Sequence, residues 1–274
     1  MGIFDGVYFV SDFDGTLLDN IDYKISEENI AAIKYFMSEG GKFGFATGRI
    51  ISELEDFNDL VSPNAPSVTC NGSLLYDFSN GESTLVGEIG EDIIPFLEYV
   101  EKAYPNVMID ITTDHTIYHY RTNSSIIKHK SISNADFAEV KHFSLTPHPW
   151  LKIAIWDEPE KIRYFSENAE RERLDKKYKF MYSYEYCCEI SLASADKGAA
   201  LLKAKKTLEN IKTVVAIGDN ENDVTMLKNA DISMVPSNAV EDAKQSADII
   251  LDCDCNHSAV AKAIYRLKEI ILSK

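Results

Sequence analysis

The chain has 274 residues, 45% hydrophobic and 26% charged, a balance that can bury a core without metal or disulfide staples and is long enough for two domains. Its formal net charge of −16 argues against nucleic acid and against anionic membrane surfaces, which are bound through Lys and Arg. It leaves a small phosphorylated partner open, because an acidic protein can hold a locally positive site.

The five cysteines, Cys70, Cys187, Cys188, Cys253 and Cys255, are odd in number and scattered, which points to a reducing compartment rather than a disulfide framework. Cys253 and Cys255 have no second Cys or His pair at finger spacing, so zinc is not expected. The opening MGIFDGVYFVSDFDG has no basic region followed by a long apolar run, and no apolar stretch is long enough to span a bilayer. A cytoplasmic protein is the expectation. The oligomeric state cannot be read from the residues.

In chain order, Val7 to Val10 is a short apolar run stopped by Ser11-Asp12-Phe13-Asp14-Gly15, the pattern of a buried strand entering a loop. Ser26 heads a helix as N-cap, with Glu27 and Glu28 in its first turn and Ile30, Ile33, Phe36 and Met37 at helical spacing before Gly40-Gly41. Lys42 to Ala46 predicts a second strand ending at Thr47-Gly48-Arg49. Ile51 to Leu60 predicts a helix, and Ser67 to Cys70 a third strand ending at Asn71-Gly72. This alternation predicts right-handed βαβ units in a parallel sheet.

The middle differs. Ile93, Phe96, Leu97 and Val100 mark an amphipathic helix, and Val107 to Ile111, Thr116 to Tyr120 and Leu151 to Trp156 read as strands. A long charged helix is predicted over 161–177, and Tyr182, Tyr184 and Tyr186 alternate as one face of a strand. After that the first grammar returns, with a strand at Thr213 to Ile217 ending in Gly218-Asp219, a helix near Asp223 to Asn229, a strand at Ile232 to Val235 and a closing helix over 258–272.

The chemistry gathers at the strand ends. Asp12 and Asp14 stand two apart after the first strand, where open α/β sheets place their sites. Thr47-Gly48-Arg49 follows the second strand, Lys197 begins a predicted helix in Asp196-Lys197-Gly198, and Gly218-Asp219-Asn220-Glu221-Asn222-Asp223 follows a later strand. Singly these read as turn formers, a turn hydroxyl, a solvated charge and a helix cap. Together they supply a carboxylate nucleophile, a second acid, a hydroxyl and a cation for phosphate oxygens, and further acids for a divalent metal.

In these motifs the sequence resembles the haloacid dehalogenase (HAD) superfamily of phosphatases, in type, order and strand context and along the whole chain. Asn71-Gly72-Ser73 before the insert and Glu189-Ile190 before Lys197 look like its Cof-type branch, which carries a cap between the second and third motifs. The resemblance implies a three-layered, Rossmann-like α/β core with a parallel sheet over residues 1–80 and 189–274, interrupted by an α+β cap over 81–188. It implies a Mg²⁺-dependent phosphatase acting on sugar phosphates or other small phosphorylated metabolites.

Asp12 would be the nucleophile, Asp14 the general acid and then base, and Lys197 the neutralising cation. Thr47, Gly48, Asn222 and Lys197 would hold the phosphate. The Asp12 carboxylate, the Asp14 backbone carbonyl and Asp219 would hold the metal, with Asp223 close behind. The cap would choose the substrate. It holds His115, His119, His129, His142 and His148 with Arg121, Lys128, Lys130 and Trp150, and His119 and Arg121 are its named substrate candidates. A phosphomutase with the same Asp pair, or a silent phosphometabolite sensor, are the alternatives.

Overall fold

The computed structural model describes residues 2–122, 135–163 and 174–273, apart from the side chains of residues 175 and 182–184. Lys128, His129 and Lys130, and most of the charged helix expected over 161–177, lie outside the described residues. Among the described residues no helix is long and apolar enough to cross a membrane.

The chain opens with β1 (Val7–Ser11), α1 (Glu27–Ser38), β2 (Lys42–Phe45), α2 (Glu55–Val61), β3 (Ser67–Thr69), β4 (Leu74–Asp77) and β5 (Glu82–Leu85). The middle holds α3 (Ile94–Ala103), β6 (Met108–Thr112), β7 (Thr116–Tyr120), β8 (Asp136–Val140), β9 (Lys152–Trp156), β10 (Tyr178–Tyr184) and β11 (Cys187–Leu192). Then follow α4 (Lys197–Thr207), β12 (Thr213–Ile217), α5 (Val224–Asn229), β13 (Ile232–Val235), α6 (Glu241–Gln245), β14 (Ile249–Ile250) and α7 (Ala259–Leu272).

Two compact units result, one of Met1–Gly48, Glu55–Val86 and Asp196–Lys274, the other of Arg49–Leu54 and Gly87–Ala195. The first contains a five-stranded sheet in the order β14-β13-β12-β1-β2, with every neighbouring pair parallel. All five residues of β1 are buried, as a parallel strand covered on both faces requires. Tyr8 and Val10 join a cluster with Ala200, Leu201 and Ala204 of α4 and Met226 and Leu227 of α5. Phe9 points the other way, to Phe36 of α1 at 5.7 Å between ring centroids. Ser26 caps α1 as expected, its Oγ accepting from the Asn29 amide at 3.1 Å. The buried Asn29 side chain then donates to Leu17 O and accepts from Ala261 N, joining α1 to the loop after β1 and to α7.

The third expected strand leaves the parallel sheet. β3 touches the end of β2 through one parallel bridge, Ala46 with Val68, and then pairs antiparallel with β4, which pairs antiparallel with β5. The turn into β5 is Asn80-Gly81, with Gly81 at φ 74°, a hairpin turn signal in the sequence. Because β5 is held by β4, the first unit runs on to Val86 rather than stopping at residue 80. Because β11 is held by β9 and β10, it resumes at Asp196 rather than at 189.

The second unit is a six-stranded sheet in the order β10-β11-β9-β6-β7-β8, antiparallel except for β7 with β8. Ile93, Phe96, Leu97 and Val100 pack on Ile109, Ile111, Ile153, Ile155 and Ile190, so the helical period read from the sequence is the buried stripe of α3. A register shift between Tyr182 and Tyr184 breaks the expected alternation, and Tyr186 lies in the turn before β11, stacked on Trp156 at 5.9 Å.

Of the two substrate candidates in this region, His119 needs correction, and Arg121 has partners of its own in the fold. His119 is 2% exposed, paired with the buried carboxylate of Asp110 and stacked on Phe137, so it has no surface to offer a substrate. Arg121, at φ 57°, binds Glu101 Oε1 at 3.0 Å and the carbonyls of Glu101 and Pro105 at 3.3 and 3.2 Å. Its guanidinium fastens the end of β7 to α3. The sequence does not mark these partners, because pairing across adjacent strands and from a strand end to a helix is set by the fold.

Candidate active site

Three loops at the carboxyl ends of β12, β1 and β2, neighbours in the sheet, carry the residues singled out above, and α4 adds its first residue. Asp12 continues the ladder, its amide donating to Ile217 O at 2.8 Å. Phe13 is buried between Phe45 and Phe57, with ring centroids at 5.3 and 4.8 Å, and anchors the loop. Gly15 then turns the chain at φ 80°, where a side-chain carbon would lie 2.6 Å from Asp219 Oδ2. Any residue but glycine would collide with the second acidic loop as well as strain the backbone.

Asp12, Asp219 and Asp223 each bring a carboxylate oxygen within 4.8 Å of the other two. The fully buried Lys197 donates to Asp12 Oδ1 and Asp223 Oδ1, both at 2.6 Å. Asp196 caps the helix that carries this lysine, accepting from Ala199 N at 2.8 Å. Thr16 Oγ1 donates to Asp219 Oδ1 at 2.8 Å. The Asp219 and Asn220 amides both donate to Asp223 Oδ2, at 2.9 and 3.0 Å.

Both oxygens of Asp223 are therefore engaged, one by the lysine and one by the backbone. Its carboxylate fixes the loop and the cation. Asp14 is exposed, and its carboxyl is not part of this cluster.

Burial, and then the Asp223 charge, push the Asp12 carboxyl well above the usual carboxylate range, against the pull of Lys197. Asp219 is raised as well, by burial first and by Asp223, with the Thr16 hydrogen bond opposing. Burial alone would lower Lys197, but Asp12 and Asp223 outweigh it and hold the ammonium above its ordinary value. Three carboxyl groups around one ammonium leave surplus negative charge, which disfavours the charged forms of Asp12 and Asp219. A hard divalent cation would relieve it, and the donor set, all oxygen, suits one.

Thr47 is buried in the loop after β2, its amide donating to Val68 O at 2.9 Å and its carbonyl accepting from Asn71 N at 3.0 Å. Asn222 donates its amide nitrogen to Asn71 Oδ1 at 2.9 Å. Two residues had no role in the sequence reading, Thr16 and Asn238, the latter with Nδ2 donating to Gly15 O at 2.9 Å and Oδ1 accepting from Cys255 N, and Asn71 entered it only within the Asn71-Gly72-Ser73 motif. Thr16 lies in the Asp12 loop and Asn238 in the loop after β13, so position at a strand end was the one available signal.

Acids, a buried lysine and a hydroxyl at the carboxyl edge of a parallel sheet define a hydrolase-type α/β site. A family model for haloacid dehalogenase-like hydrolases matches residues 9–264. The chain is 28% identical over 256 residues to the 5-amino-6-(5-phospho-D-ribitylamino)uracil phosphatase YcsE of Bacillus subtilis, covering 92% of each chain. It is 24% identical over 272 residues to the pyridoxal phosphate phosphatase YbhA of Escherichia coli, covering 93% of this chain and 96% of that one. Its fold matches the crystal structure of TM0651 from Thermotoga maritima with a TM-score of 0.83 at 28% identity, over 94% of this chain and 96% of that one. The chain belongs to the haloacid dehalogenase-like hydrolases, in their Cof-type branch, and is a phosphoric monoester hydrolase of that family.

Proposed function

We propose that this phosphatase is Mg²⁺-dependent and hydrolyses sugar phosphates or other small organic phosphate monoesters through a phosphorylated Asp12. The observation that carries the reading is the buried Lys197 bound to both Asp12 and Asp223, which gives an otherwise repelled anionic nucleophile a fixed counter-charge. The relatives named above are phosphatases of small phosphorylated metabolites, which supports the substrate class. Substrate choice is assigned to the second unit as a region, without the buried His119.

An oxygen of Asp12 attacks phosphorus, and the bond to the leaving oxygen breaks as Asp14 gives that oxygen its proton. Thr47, the Gly48 backbone and Asn222 donate to the transferring phosphoryl oxygens while Lys197 neutralises them. A water molecule then gives a proton to Asp14 and attacks the same phosphorus, freeing Asp12 and inorganic phosphate. Acid and then base action by one carboxyl group follows from reversibility. Asp12, Asp219 and the Asp14 carbonyl would hold Mg²⁺, which when bound offsets the charge repulsion between nucleophile and phosphate.

Phosphate release across a panel of phosphorylated metabolites should show turnover with sugar phosphates or similar small monoesters, lost in EDTA and restored by Mg²⁺. Turnover indifferent to EDTA would contradict the metal dependence.

The same cluster fixes a pH dependence. Asp12 has its carboxyl raised in the fold, so its charged form is disfavoured there. The metal-free protein should lose stability as pH rises from the ordinary Asp value, about 3.9, to the raised folded value. Mg²⁺ binds the charged forms and should stabilise by about 2.7 kcal/mol at a hundredfold excess over its dissociation constant. The gain in melting temperature on adding Mg²⁺ should therefore grow with pH through that window. Equal gains at about pH 5 and about pH 8 would count against the site.

A further inference from the structure

The turn that ends β3 holds three consecutive residues at positive φ: Cys70 at 51°, Asn71 at 55° and Gly72 at 105°. Two of them carry a side chain, and such a backbone persists only where its surroundings hold it. The surroundings here are two of the three loops of the site and the start of α4. Asn71 N donates to Thr47 O at 3.0 Å. A side-chain carbon on Gly72 would lie 2.2 Å from the Asp196 carbonyl oxygen and 2.7 Å from Lys197 N, so the turn rests against the start of α4. Asn71 Oδ1 accepts from Asn222 Nδ2 at 2.9 Å. A side-chain carbon on Gly48 would come within 3.0 Å of Asn71 Oδ1 and 3.1 Å of its Nδ2, which places the carboxamide between Gly48 and Asn222.

The Asn222 carboxamide is thereby set in one orientation. Its oxygen is buried without a hydrogen-bond partner among the described residues, and its nitrogen has two hydrogens, of which Asn71 takes one. We propose that Asn71 is a positioning residue of the phosphate pocket, orienting Asn222 so that its second N–H meets a phosphate oxygen. The proposal rests on the reading of Asn222 as a phosphate ligand. Asparagine suits the position because it tolerates the left-handed backbone and supplies the acceptor.

The test is a double-mutant cycle read on the inhibition constant of inorganic phosphate against nitrophenyl phosphate hydrolysis, with the Mg²⁺ midpoint measured alongside. Asn71→Gly keeps the backbone conformation and removes the carboxamide. It should weaken phosphate roughly five- to twentyfold, as expected for loss of one oriented hydrogen bond to a charged group, and leave the Mg²⁺ midpoint within about twofold. In an Asn222→Ala background the same change should alter the constant by less than about twofold, because the residue acted upon is gone.

Equal factors in both backgrounds, or no effect in either, would overturn the proposal. Should Asn71→Gly fail to fold, Asn71→Asp keeps both the acceptor and the left-handed backbone. In that protein Asn222→Ala should still weaken phosphate, and no further loss would overturn the proposal. Unchanged phosphate binding in Asn222→Ala alone would instead remove the phosphate-ligand reading, and this proposal with it.

Discussion

Asp12→Asn should reduce turnover by at least about 10³-fold while leaving the protein folded. The amide occupies the same space and is a very poor nucleophile. Lys197 keeps its second partner, Asp223 Oδ1 at 2.6 Å, so the buried ammonium is not stranded. The substitution also removes one of the clustered carboxylates that would hold Mg²⁺, so the Mg²⁺-dependent gain in melting temperature should shrink with it. Steady-state phosphate release by protein free of contaminating phosphatase is the check. Residual turnover above a few per cent of the parent would sink the nucleophile assignment.

Asp14→Asn should produce a loss that depends on the leaving group. A sugar alkoxide is strongly basic and needs a proton as the bond to phosphorus breaks, whereas nitrophenolate leaves without one. General acid help is worth roughly 10²–10⁴-fold, so phosphorylation of Asp12 should slow severely with a sugar phosphate and mildly with nitrophenyl phosphate. The Asp14 carboxyl is exposed and stands outside the carboxylate cluster, so Mg²⁺ affinity should hold. Equal losses on both substrates in single-turnover measurements, at unchanged metal affinity, would leave Asp14 no role as the acid.

The parts of this molecule that were legible in the sequence are those set by local pattern. Apolar runs cut short by Asp-x-Asp and Gly-Asp gave β1 and β12 with their acids at the strand ends, and Ser26 before two glutamates gave the cap of α1. What escaped depends on contacts that the fold sets and local pattern does not mark. Ser67 to Thr69 has the composition of a central strand, and only its pairing with Leu74–Asp77 turns it away from the parallel sheet. His119 reads as an available imidazole until Asp110, nine residues earlier, is seen beneath it. Asp223 reads as an acid standing close behind the metal, and the sequence does not show that Lys197 and two backbone amides occupy its oxygens. Asn71 reads as a turn former, and its link to Asn222 spans 151 residues.

The central claim is that the phosphoryl group passes through Asp12, and the most direct measurement uses Asp14→Asn with nitrophenyl phosphate. There the first step survives and the second lacks its base, so the intermediate should accumulate. Acid quenching during the first turnover, followed by peptide mass spectrometry, should find a burst of nitrophenol matched by one phosphoryl group per enzyme on Asp12. A burst-free time course with Asp12 unmodified, or a phosphoryl group on any other residue, would contradict the account.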